Sequence, residues 1–201
     1  MNTLENILTR RSAKHFDAHH RMPDGDFERL TQAAMSAPTS FNIQHWRFVR
    51  VIDMALRQSI RQAAWDQAQV TDASELLVIT GNTQAWDQQP ERYWRNTDAE
   101  KQRMLVDMLR EFYRGRPELQ RDEAIRSGAL AAQNLMLAAR ELGYESNAMI
   151  GFDFDEVSRL IKLPDDHVIV MLLAIGKPLK AAWPRGGQLP VEEIFLDNGF
   201  K

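Results

Sequence analysis

Residues 123–142 carry Ala, Leu or Met on nearly every helical face, broken only by Arg126, Ser127, Gln133, Asn134, Arg140 and Glu141. A helix that apolar cannot lie on a surface with one stripe turned inward. It has to be covered all round, by its own domain or by a second subunit. Gly143 follows where a helix-ending glycine belongs. The pattern predicts the central helix of the fold, and a part of a subunit interface.

Other segments arrange themselves around it. Residues 46–52, 76–80 and 168–175 are β-branched, aromatic or continuously apolar and predict strands, with a shorter extended stretch at 145–150. Amphipathic helices are expected from Leu4, Ile7 and Leu8. Further helices are predicted after Asp24 (Phe27, Leu30, Ala33, Ala34), after Asp53 (Leu56, Ile60, Ala63, Ala64), and behind Asp153 with Glu156. Thr97 and Glu100 read as a capping box for a stripe of Met104, Leu105, Met108, Leu109 and Phe112. That stripe suits a core, but an aromatic- and Met-rich excursion over residues 86–117 also suits a substrate-side lid.

With 201 residues and 44% apolar content the chain can bury a substantial core, and one domain spanning residues 1–201 is expected. A formal charge of -3 gives no reason to expect nucleic acid or an anionic membrane as partner. The chain has no cysteine, which excludes disulfide scaffolds, thiolate metal sites, iron–sulfur clusters and cysteine nucleophiles. The start lacks a basic-then-apolar leader pattern, and the apolar run at 168–175 is too short to span a bilayer, so a cytoplasmic protein is expected.

The polar loop between Pro38 and Trp46 offers Thr39, Ser40, Asn42 and Gln44, short neutral side chains that suit the edge of a heteroaromatic ring better than a metal or a bare phosphate. An ordinary helix-to-strand turn would use the same residue types. Arg10, Arg11 and Lys14, with Ser12 between them, can form an anion clamp of two guanidinium forks and a point charge; a solvated charged face would look alike. At residues 150–152 a tight turn with no side chain at Gly151 lets backbone N–H groups approach a flat ligand. Past Gly176, Arg185 beside Gly186 and Gly187 is a second candidate anion site. The segment from about 177 to 201 has no periodicity that would bury it locally, so it wraps its own subunit or reaches another.

His15, His19, His20, His45 and His167 form no metal-ligating pair, and each reads as a surface or loop histidine. No metal site is expected. A serine elbow, a P-loop lysine and a Gly-x-Gly-x-x-Gly fingerprint are all absent. Any chemistry therefore requires a bound organic cofactor.

Four stretches in this order, residues 10–16, 37–46, 143–152 and 175–190, resemble the FMN-dependent nitroreductases. The resemblance covers essentially the whole chain. It implies an α+β fold with a central, mostly antiparallel sheet flanked by helices, built as a domain-swapped homodimer with two FMN sites at the interface. The segment from about 177 to 201 would then wrap the partner subunit. By that resemblance Arg10, Arg11, Ser12 and Lys14 hold FMN from one subunit, and Pro38, Thr39, Ser40, Asn42 and Gln44 from the other. Gln67 or Gln69 occupies the region of the pyrimidine-edge contact. The backbone at Ile150 and Gly151 matches the place where an N–H faces the reactive flavin nitrogen, with no side chain needed as acid or base.

Two positions depart from the family pattern. Gln188 stands where many relatives place an arginine before Leu-Pro, and Arg185 is expected to take the phosphate contact instead. Asp66 stands where some relatives carry asparagine. The implied activity is ping-pong transfer of hydride from NADH or NADPH to flat acceptors such as nitroaromatics or quinones. Phe41, Trp94, Leu109, Phe112 and Tyr113 would line the acceptor face. The competing readings are a specialised relative, such as a dehalogenase or a flavin-fragmenting enzyme, and a flavin-binding protein without turnover.

Overall fold

The computed structural model describes residues 2–200. The helices are α1 (Thr3–Thr9), α2 (Asp24–Met35), α3 (Met54–Ala63), α4 (Gln69–Asp72), α5 (Ala99–Tyr113), α6 (Pro117–Glu141), α7 (Phe154–Ile161) and α8 (Val191–Ile194). The strands are β1 (Trp46–Arg50), β2 (Glu75–Asn82), β3 (Glu145–Met149) and β4 (His167–Gly176), in the order β1-β2-β4-β3 with every neighbouring pair antiparallel. The fold is therefore α+β with an antiparallel sheet flanked by helices, as expected.

All eight residues of β2 are buried, because helices cover both faces of the sheet. Side chains alternate across a strand, so Leu77 and Ile79 pack on one side with Leu30 and Ala34 of α2 and Ala132, Leu135 and Met136 of α6. Leu76 and Val78 pack on the other with Ile60 of α3, Val70 of α4 and Val157 of α7. Helix α6 approaches the sheet closely because the contact residues are small. A Cβ at Gly81 would lie 2.7 Å from the carbonyl oxygen of Ala124, and one at Gly128 would lie 2.6 Å from Val170 Cγ2.

The predicted central helix is correct in kind and longer at its start, running from Pro117 rather than from residue 123. Gly143 ends it with φ +76, as a glycine in the left-handed region should. Asp53 and Asp153 cap α3 and α7 as expected, accepting from the backbone N–H groups of Leu56 and Glu156.

Two caps differ from expectation. Pro23, not Asp24, is the N-cap of α2, and no side chain bonds there. Asp98, not Thr97, caps α5 by accepting from Lys101 N–H, while the Thr97 hydroxyl turns back to the Trp94 carbonyl. In both cases the cap position lies one residue away from where the spacing alone put it.

Among the described residues no helix is long and apolar enough to cross a membrane. Much apolar surface remains uncovered at both ends of the chain. Leu4 and Leu8 of α1 are exposed, and on the last segment Trp183 is 78% and Phe195 76% exposed.

Candidate functional site

The clamp segment is an irregular strand laid along the edge of the sheet. Ala13 N–H donates to the Ser146 carbonyl of β3 at 3.0 Å, and Asp17 N–H to the Lys177 carbonyl at 2.9 Å. Ala13 and Phe16 are buried beneath it, which leaves Arg11, Ser12, Lys14 and His15 directed outward. These residues and Arg10 line a hollow of about 280 Å³ closed on its other side by Ala181 to Arg185. No carboxylate lines it. Burial and the neighbouring Arg185 lower the pKa of Arg10, with Glu145 acting in the opposite direction.

Arg185 donates to the Leu8 carbonyl at 3.3 Å, and Arg11 donates to the carbonyls of Leu8 and Arg10 at 3.0 and 2.8 Å. The structure thus brings Arg10, Arg11, Ser12, Lys14 and Arg185 together. Gln188 lies three residues further along the exposed segment and does not line this hollow.

The loop after Pro38 is held in an unusual backbone conformation. Phe41, Asn42 and Gln44 all have positive φ, at 50, 53 and 55°. Left-handed backbone at a bulky residue costs about 1–3 kcal/mol and persists only where surroundings enforce it. The enforcing contacts are explicit. Asn42 Nδ2 donates to the Tyr93 carbonyl at 2.9 Å, Gln44 N–H to Thr39 Oγ1 at 3.1 Å, and the Tyr113 hydroxyl to Ser40 Oγ at 2.8 Å. Ile43 is fully buried beneath the loop.

Of the residues expected to line an acceptor face, Phe41, Trp94 and Phe112 reach the surface, with Phe41 and Phe112 ring centroids 5.8 Å apart. Leu109 and Tyr113 do not: both are 0% exposed, packed with Ile43, Ala85, Trp86 and Tyr93. Their position on α5 turns them into the cluster, so they back this face rather than line it. His45 also departs from expectation. It lies in the loop, as expected, but is not on the surface: it is 1% exposed, with Nδ1 3.1 Å from Ser127 Oγ of α6. Burial, reinforced by Arg47, pushes its pKa down to about 4.

At the turn after β3, the Gly151 carbonyl accepts from Gln67 Nε2 at 2.8 Å, and Gln67 Oε1 accepts from Gln69 Nε2 at 3.0 Å. Gln69 is buried, so it acts through Gln67 and is not placed to touch a ligand edge itself. The absent side chain at Gly151 matters here, since a Cβ would come 3.0 Å from the Trp65 ring. Trp65 has φ +54 and an exposed ring beside this turn. The sequence pattern gave no role to Trp65; its only signal was a large aromatic just past the end of an amphipathic helix.

Two separate hollows therefore sit on one chain. The cationic clamp lines one hollow and the Asn42–Gln44 loop lines another, and the two share no lining residue.

Comparisons with known proteins identify the family. The model of the Nitroreductase family matches residues 7–177. Protein DrgA of Synechocystis sp. is 51% identical over 96% of this chain and 95% of its own length. The Bacillus subtilis protein named "Putative NAD(P)H nitroreductase MhqN" is 35% identical over 94% of this chain and 95% of its own. A crystal structure from Exiguobacterium sibiricum, described as a "putative nitroreductase in complex with FMN", superposes with a TM-score of 0.89 at 26% identity, covering 97% of this chain and 96% of that one. By family match, sequence identity and fold, this chain belongs to the Nitroreductase family.

Proposed function

We propose that two copies of this chain form a homodimer that holds FMN at two shared sites. Each site would pass hydride from NADH or NADPH to flat acceptors, such as nitroaromatics or quinones, in a ping-pong cycle. The observation that carries this reading is the separation of the clamp and the loop into two hollows of one chain. Each half is incomplete alone, and a second copy would bring the clamp of one against the loop of the other. The exposed apolar residues of α1 and of the segment from 177 onward offer the surface for that association.

The residues fit the group. Arg10, Arg11 and Lys14, joined by Arg185, match the charge of a phosphate, and no carboxylate competes for them in that hollow. Ser12, Pro38, Thr39, Ser40, Asn42 and Gln44 supply neutral donors, acceptors and apolar edge for a sugar-alcohol chain and a heteroaromatic ring. Bound flavin supplies the ring that accepts and returns hydride. The chain's part is to hold and orient. The Gln69–Gln67 relay holds the Gly151–Phe152 peptide by its carbonyl and so braces the turn in which backbone N–H groups at Ile150 and Gly151 would serve as donors to the ring edge. Phe41, Trp94 and Phe112 supply an aromatic wall for planar acceptors, and protons for the product come from water.

The deciding experiment is the visible absorbance spectrum of the purified protein, followed by anaerobic titration with each pyridine nucleotide. A flavin spectrum that bleaches with nucleotide and returns with a quinone supports the reading. A flavin that stays oxidised makes the protein a binder without turnover, and a colourless protein that takes up no FMN removes the proposal.

A further inference from the structure

The hollow on the loop side of the site has a second chemistry. It measures about 410 Å³ and lies between the Asn42–Gln44 loop, β1 and the 3₁₀ segment Pro90–Trp94, lined by Arg47, Arg92, Arg95 and Asn96 as well as Asn42 and Gln44. No Asp or Glu lines it. Among the described residues none of the three arginines forms a salt bridge. Arg47 donates to the carbonyls of Gln44 and Trp46 at 3.0 and 2.7 Å, and Arg92 lies over the Tyr93 ring. These contacts orient the guanidiniums of Arg47 and Arg92 without neutralising them. A hollow of similar size along α5 provides the contrast: there Arg110 and Arg114 alternate with Asp107 and Glu111, and Arg110 is paired with Asp87 at 3.0 Å.

We propose that this hollow binds the 2′-phosphate of NADPH, so that the protein prefers NADPH to NADH as hydride donor. Three uncompensated guanidiniums suit a dianionic phosphate monoester; a single carboxylate needs only one fork. The amide of Asn96 can serve the adjoining ribose hydroxyls. Position agrees as well. Asn42 and Gln44 belong to the loop assigned to the cofactor, Phe41 stands beside them, and the bond from Asn42 to the Tyr93 carbonyl ties the two walls of the hollow together. A nucleotide whose nicotinamide stacks next to Phe41 could lay its adenylate arm here. This inference rests on the oxidoreductase reading for its purpose but not for its test.

The test is calorimetric titration of the purified protein with adenosine 2′,5′-bisphosphate and with 5′-AMP, neither of which carries hydride. The expected result is at least about tenfold tighter binding of the bisphosphate, a preference that weakens with added salt. Arg95→Ala should reduce the preference to about twofold, and Arg92→Lys, which keeps the charge but loses the fork, should retain only part of it. Bound flavin, read from its visible absorbance, should be unchanged in both variants because neither Arg92 nor Arg95 is among the residues assigned to FMN. Equal binding of the two nucleotides, or a preference that survives Arg92→Ala combined with Arg95→Ala, overturns the inference. A colourless protein that still prefers the bisphosphate would remove the oxidoreductase reading and leave this site standing.

Discussion

The side-chain amide of Gln67 donates to the carbonyl oxygen of Gly151 at 2.8 Å, joining residues 84 positions apart in the chain. Gln69 donates to Gln67 in turn, so both ends of the Gln67 amide are engaged. Gln67→Ala leaves the Gly151 carbonyl without its donor and frees the peptide to rotate. FMN affinity should weaken about fivefold, the equivalent of one ordinary hydrogen bond. Fluorescence of released flavin on dilution measures this, and unchanged affinity would show that the turn holds its shape unaided.

Arg10 and Lys14 supply charge to the clamp while making little use of it elsewhere. Arg10→Ala should lower FMN affinity about tenfold to a hundredfold, since charged hydrogen bonds contribute about 1.5–3 kcal/mol, with the far-ultraviolet circular dichroism unchanged. Ser12→Ala should have a smaller effect in the same direction. Equal flavin content in variant and parent after exhaustive ultrafiltration would remove the clamp from the cofactor site.

His45 makes stability depend on pH in a defined window. Its pKa is about 4 in the folded state against 6.5 for the free side chain. Above pH 6.5 it is neutral in both states and no stability is lost. As pH falls from 6.5 toward about 4, the unfolded chain takes up a proton that the folded chain refuses, and stability declines; below about 4 both states are protonated. The full loss is about 3 kcal/mol. Urea midpoints of parent and His45→Gln, compared between pH 7 and pH 4, should converge as pH falls. Parallel lines would mean that His45 titrates normally.

Gly81 lets α6 lie against the sheet, and any side chain there meets backbone. Gly81→Ala places Cβ 2.7 Å from the Ala124 carbonyl oxygen, so α6 must shift. Destabilisation of about 1–3 kcal/mol is expected, lowering the melting temperature by about 2–4 °C for each kcal/mol. Gly25, with open space around it, is the matching control and should tolerate alanine with little change.

The elements that the residue pattern made legible are those where one physical requirement dominates. The all-round apolar helix, the continuous apolar run of β2 and the Asp caps of α3 and α7 each follow from burial or from unsatisfied helix ends. The clamp was legible because charge clustering is visible along the chain. The arginine hollow was not, since Arg47 lies about 45 positions from Arg92 and Arg95, and tertiary contacts, the bond from Asn42 to Tyr93 and the packing of Ile43 with Tyr93, bring them together. Leu109 and Tyr113 were assigned to a surface because helical periodicity identifies a stripe but not what it faces. His45 illustrates the same gap: composition favours exposure, and the Ser127 hydroxyl on α6 provides the exception.

The left-handed backbone at Phe41, Asn42 and Gln44 sets robustness against chemistry in this protein. Glycine at any of the three would relax the turn, so variants chosen only for heat tolerance should accumulate it there. Each such gain would erase an aromatic wall or an amide, and the most rugged descendants would be the least able to discriminate among acceptors.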